Sequence, residues 1–193
     1  KEFADIQKQI FREAVFLKEV KKVIEREFLN IRNDFLESFE KHPVTIEIEG
    51  GSSSSNISKT LGGVGNLFTY IGFDEGDDPI KELREVLEFY EIRYNVGKRF
   101  VTATFELPTK QQVFAATPMP WATGRSWARG IERGISGLGK YLVKGKKIAK
   151  SRSGAAIQAK SRVRSGKFSN TSYLSALLNE YYKKVKKLEK RTF

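Results

Sequence analysis

The residues that come nearest to a chemical motif are Gly134-Ile-Ser-Gly-Leu-Gly139-Lys140-Tyr141, where two glycines bracket four residues before a lysine, as in a nucleotide-binding phosphate loop. Such a loop needs a Ser or Thr hydroxyl after the lysine to ligate magnesium, and a buried apolar strand before the first glycine. Tyr141 occupies the first place and the charged run Arg129-Gly-Ile-Glu-Arg133 the second. Close backbone packing is therefore the better reading, and no cofactor-binding residue is assigned. The single histidine, His42, stands directly before Pro43 at the end of a helical pattern, where a stop signal explains it better than a metal ligand or a base. No Gly-x-Ser-x-Gly elbow is present. The acids of Asp74-Glu-Gly-Asp-Asp78 lack calcium-loop spacing and fit the helix start that follows them. The remaining acids fall mostly on polar helix faces and read as solvated charge. The expectation is a protein without catalytic residues, metal ligands or a cofactor, one that acts by binding.

Composition narrows the classes further. With 193 residues the chain has room for one ordinary domain and an extension. It holds no cysteine, which removes disulfides, thiolate zinc sites and cysteine nucleophiles. No apolar run approaches the length that crosses a bilayer, and the first residues show no signal-peptide pattern, so a soluble chain is expected. The net charge of +12 is unevenly spread. From Ser136 to Phe193 there are 16 Lys or Arg against only Glu180 and Glu189, whereas residues 1 to 135 hold 19 basic and 21 acidic side chains. A nearly neutral body followed by a strongly basic stretch suggests that the latter meets something negative.

The pattern of apolar residues predicts an α+β fold in two parts: a body over 1–143, and a basic arm with a C-terminal helix over 144–193. Ile6, Ile10, Ala14, Leu17, Ile24, Phe28, Ile31, Phe35 and Phe39 recur at three- and four-residue steps, predicting a long helix from about Phe3 to Glu40. At 1.5 Å per residue it would span roughly 55 Å, so part of it should project. Phe11, Phe16, Val23, Leu29 and Leu36 widen its apolar face, which suits both a helix lying across a sheet and a helix whose second flank meets a neighbouring copy. Alternation over Val44 to Glu49 predicts a half-buried strand, Gly50 to Asn56 a loop, and Leu67 to Phe73 a second strand. Asp78-Pro79 starts a short helix with Ile80, Leu83, Leu87 and Tyr90 on its buried face. A meander follows: Glu91 to Asn95, Lys98 to Leu107, and Gln111 to Thr117. Thr171 or Ser172 then caps a final amphipathic helix with Leu174, Leu177, Leu178, Tyr181, Val185 and Leu188 in one stripe. Its lysine face suits docking on protein better than a membrane surface, because the stripe lacks Trp or Phe anchors.

The stretch from Gly124 to Gly139 reads as an amphipathic helix, with Trp127, Ile131, Leu138 and Leu142 on one face, despite interior glycines that each cost about 1 kcal/mol relative to alanine. Glycines kept at that cost mark close approach of another backbone or a ligand. Trp and Arg are favoured interface anchors. The expected contact residues are therefore Trp121, Arg125, Trp127, Arg129, Gly130 and Gly134, with Leu174, Leu177 and Tyr181 from the last helix.

The succession Asn56-Ile-Ser-Lys-Thr-Leu-Gly-Gly-Val-Gly-Asn-Leu-Phe-Thr-Tyr-Ile-Gly-Phe73, then Thr117-Pro-Met-Pro-Trp121 and Gly124-Arg-Ser-Trp-Ala-Arg-Gly through Leu142, resembles virion structural proteins of tailed bacteriophages. A long N-terminal helix packed on a small antiparallel sheet, with a glycine-containing helix after a Pro-rich bend, is similar to tail-completion and neck proteins, which form rings between portal and tail. The resemblance covers most of residues 1 to 142 and carries no catalytic residues. It implies a homo-oligomeric ring in the virion neck, assembled in the host cytoplasm, with the connector on one side and the tail tube or terminator on the other. DNA would pass nearby without being specifically bound, and no membrane would be involved. A tail terminator or another minor virion protein is the alternative within this class. A nucleic-acid-binding protein acting through the basic arm, and a cell-wall hydrolase with two facing carboxylates, are the alternatives outside it.

Overall fold

A computed structural model describes residues 14–61, 65–97, 100–120, 122–133 and 171–189, together with the backbone of 141–144 and 156–159. The fold is α+β. Helix α1 (Ala14–Glu40) buries Ile24, Phe28, Phe35 and Phe39, one or two turns apart. Its described length is about 40 Å at the usual rise, and the predicted turns before Ala14 lie outside the described residues. Helix α7 (Leu174–Glu189) runs antiparallel to it. Phe39 faces Tyr173 at 6.4 Å between ring centroids, while Phe35 stacks on Tyr181 at 4.4 Å and 5°. The predicted stripe of α7 is the one that is buried, with Leu177 half-buried at its edge.

Three segments expected as strands are helical. Val44 to Glu49 belongs to α2 (Pro43–Glu49), in which Val44, Thr45, Glu47 and Ile48 are buried and Ile46 is exposed. That spacing has the period of a helix and not of a strand. The start signals decide it: Pro43 sits in the first turn, and His42 Nδ1 accepts a hydrogen bond from the Val44 N–H. Leu67 to Phe73 is likewise largely α3 (Leu67–Ile71), capped by the Asn66 side chain, which accepts from the Thr69 N–H. It is ended by Gly72 at φ 92°, a conformation that favours glycine. Gln111 to Thr117 becomes α5 (Lys110–Ala115) because Thr109 and Gln112 form a reciprocal capping box. In each case local capping chemistry outweighs the β propensity of the apolar residues.

Helix α4 (Lys81–Glu88) starts as expected, with Asp78 accepting from the N–H groups of Ile80 and Lys81. Strands β1 (Glu91–Val96) and β2 (Val101–Glu106) form a hairpin in the expected register, pairing Glu91 with Glu106 and Val96 with Val101. Val101 and Phe105 point inward and Thr102, Thr104 and Glu106 outward. Phe105 stacks on Phe28 at 4.8 Å and so seats the hairpin on α1. With α5 in place of a third strand, the meander stops at two. A short pair, β3 (Pro118–Met119) and β4 (Ala122–Ser126), leads into α6 (Trp127–Glu132), and the ribbon of β5 (Tyr141–Lys144) and β6 (Ala156–Ala159) pairs only with itself.

Glu47 is wholly buried and organises the loop between α2 and α3. Its carboxylate accepts from the Leu67 N–H at 2.7 Å, the Ser58 N–H at 2.8 Å and the Asn56 amide at 2.9 Å. Asn66 completes the arrangement by donating to the Ser52 and Ser54 carbonyls. Glu47→Gln puts an amide donor against these donors and should cost about 1–3 kcal/mol, read as a fall in Tm of about 2–10 °C. A melting curve that is unchanged would show that the loop does not need the carboxylate.

Burial holds the His42 pKa below its usual value, and the hydrogen bond from its Nε2–H to the Ser172 carbonyl, 3.1 Å, pulls the other way. The neutral ring is the folded form, because protonation of Nδ1 would oppose the Val44 N–H. An unfolded chain takes up this proton near pH 6.5 and the folded chain only at lower pH, so the contribution to stability is present above about pH 6.5 and is lost as the pH falls through the folded pKa. Denaturant titrations between pH 7.5 and 5 should record that loss, and His42→Asn, which can still cap α2, should flatten the profile.

Candidate interaction surface

The residues expected to make contacts fall into three groups. Trp121 and Gly134 lie outside the described residues. Trp127 is 1% exposed, meets Phe73 edge-on at 6.2 Å and stacks at 6.3 Å on Tyr173; it is a core residue of its own chain and offers nothing to a neighbour. Gly130, Leu174 and Tyr181 are buried with it, and Leu177 is half-buried. The expectation of a helix from Gly124 to Gly139 is also corrected. Gly124, at φ 72°, and Arg125 belong to β4, and only Trp127–Glu132 is helix, capped by the Ser126 hydroxyl at the Arg129 N–H; the glycines from Gly134 onward lie outside the described residues. Arg125 and Arg129 do remain exposed, and the Arg129 guanidinium lies over the Phe114 ring at 4.6 Å.

The structure brings together a different set of surface residues, arranged on the two sides of α1. Asp34 pairs with Lys184 of α7 at 3.4 Å. Arg32 donates to the Glu88 carbonyl at 2.8 Å and lies 5.1 Å from the Tyr90 ring centroid. Two residues along a helix are rotated by about 200°, so α7 and the junction of α4 with β1 occupy opposite flanks. Their charges are opposite as well. On the α4 flank, Leu83 and Leu87 turn inward and leave Glu82, Glu85 and Glu88 exposed. Arg84 is held by Glu40 at 2.7 Å and Glu49 at 2.9 Å, and these two carboxylates raise its pKa further, so its charge is spent within the chain. On the α7 flank Lys183, Lys186 and Lys187 are exposed and form no ion pair among the described residues.

An open groove of about 510 Å³ runs along the α7 flank, between the end of β2, the start of α5 and the last turns of α7. Leu107, Tyr182 and Val185 line it, and Lys110 and Lys186 contribute its cations. The Tyr182 hydroxyl donates to the Pro108 carbonyl and Glu189 accepts from the Phe105 N–H at 3.4 Å, which fixes the walls. The opposite flank carries Phe89, 47% exposed, directly after Glu88. Exposed aromatic rings of this kind were invisible to the periodicity argument, since Phe89 falls between a helix and a strand and belongs to neither pattern.

Compared with known protein families, curated proteins and solved structures, the chain matches none. The surface must therefore be interpreted on its own chemistry. Among the described residues no group of three or more His, Asp or Glu is placed to hold a metal ion, and no helix is long and apolar enough to cross a membrane.

Tyr181 separates a core role from an interface role. Its hydroxyl is buried and has no hydrogen-bond partner among the described residues, and burial raises its pKa strongly. Removing an unsatisfied buried hydroxyl removes a desolvation cost. Tyr181→Phe should keep or raise Tm and leave self-association unchanged; a weaker association with unchanged Tm would return Tyr181 to the interface.

Proposed function

We propose that this chain is a structural protein of a tailed-phage virion, a ring-forming neck component that joins the head connector to the tail. The observation that carries the proposal is the placement of an acidic flank and a basic flank on opposite sides of α1. Contacts that use different surfaces on the two sides of a subunit propagate around a ring and close by rotation, whereas a two-fold dimer needs one self-complementary patch. The resemblance of residues 56–73, 117–121 and 124–142 to phage virion proteins gives the ring its place. In this reading the protein works by geometry and has no catalytic step. The tail-terminator position uses the same ring and differs only in its neighbours.

The basic stretch supports a second reading, binding to nucleic acid, because residues 140 to 170 hold ten Lys or Arg and no acid. One experiment addresses both. Native mass spectrometry of the purified chain should find a single closed oligomer that loosens as salt rises, since contacts between exposed charges are screened beyond about 8 Å at physiological ionic strength. The oligomer should also co-assemble with connector or tail components. A chain that stays monomeric at high concentration, joins neither, and binds duplex DNA with an affinity that falls steeply with salt would replace the ring with the nucleic-acid reading.

A further inference from the structure

We infer that the contact between successive copies seats Phe89 of one chain in the groove beside α7 of the next, with Glu85 and Glu88 meeting Lys110 and Lys186. The inference rests on the ring reading and names its two surfaces. Phe89 is nearly half exposed at the end of α4, and Glu88 precedes it with Glu85 one turn earlier. The groove offers an apolar floor of Leu107, Tyr182 and Val185, with a cation from α5 and another from α7. An aromatic ring flanked by carboxylates thus faces, on the far side of the same molecule, an apolar groove flanked by lysines. Glu189 also borders the groove, and its carboxylate is engaged by the Phe105 N–H.

Charge selects this occupant over the other exposed apolar residues of the chain. Val96 and Phe100, at the tip of the β1–β2 hairpin, flank Lys98 and Arg99, which the lysines of the groove would repel. Ile57 is followed by Ser58 and Lys59 and carries no acid. Of the exposed aromatic residues, Phe89 is the one preceded by a free carboxylate. A second copy is the partner that supplies it in the required orientation, because Phe89 and the groove lie on opposite flanks of α1 and cannot meet within one chain.

Charge reversal tests the pairing in the full chain. Glu85→Lys with Glu88→Lys makes the Phe89 flank basic, and Lys110→Glu with Lys186→Glu makes the groove acidic. Each double variant alone should be monomeric by light scattering with a wild-type melting curve, and an equimolar mixture of the two should assemble again. Phe89→Ser should weaken assembly at least tenfold with Tm unchanged. Wild-type chain that assembles while either double variant still assembles would overturn this contact and leave the ring standing. Variants that are monomeric alone and remain so when mixed would overturn the pairing of these two surfaces. A wild-type chain that never assembles would overturn the ring and this contact together.

Discussion

The packing of α7 against α1 is the constraint on which the rest of the structure depends. Phe28, Phe35 and Phe39 present one side of a seam, and Tyr173 and Tyr181 the other, with Phe105 of β2 filling the end. Aromatic pairs at these separations contribute about 0.5–1.5 kcal/mol each beyond the area they bury. Without α7 the inward face of α1 would lie open along most of its length, and the hairpin would lose the wall against which Phe105 is buried. The last element of the chain is thus part of the first element's core.

That arrangement also orders the surface. Because α1 is gripped on one flank by α7 and on the other by Arg32 at the α4–β1 junction, the polar faces of those two neighbours must point in opposite directions. Their composition then determines what each side of the molecule offers. The glutamates of α4 lie outside because Leu83 and Leu87 lie inside, and the lysines of α7 lie outside because Tyr181, Val185 and Leu188 lie inside. Opposed charge follows from two amphipathic helices placed on either side of a third.

Much of this was legible in the sequence. The α1 and α7 stripes, the Asp78-Pro79 start and the β1–β2 hairpin were readable because each repeats a strong period or carries a local signal over several residues. Val44–Glu49, Leu67–Phe73 and Gln111–Thr117 were not, because short apolar runs suit either a strand or a buried helical turn and only their caps decide. Asn66 and Thr109 supplied that information, and a capping box at Thr109 and Gln112 was there to be seen. Trp127 and Gly130 were assigned to a surface because their residue types favour interfaces, whereas burial depends on partners such as Phe73 and Tyr173 that are distant in sequence. Phe89 gave no periodic signal, and its exposure is a property of the assembled fold.

The carboxylate of Glu132, at the end of α6, accepts from both the N–H and the hydroxyl of Ser175 in the first turn of α7. The chain therefore leaves the body at Arg133 and re-enters it at almost the same place. Topologically, the basic stretch between them is an insertion tethered at both ends, not a free tail. Both ends of its contour are anchored at one point, so its greatest reach is about half that of a loose terminus of the same length. The body has no need of it to connect α6 to α7, which makes this stretch a cassette that can differ in length or charge while the core on either side of the Glu132–Ser175 junction stays the same.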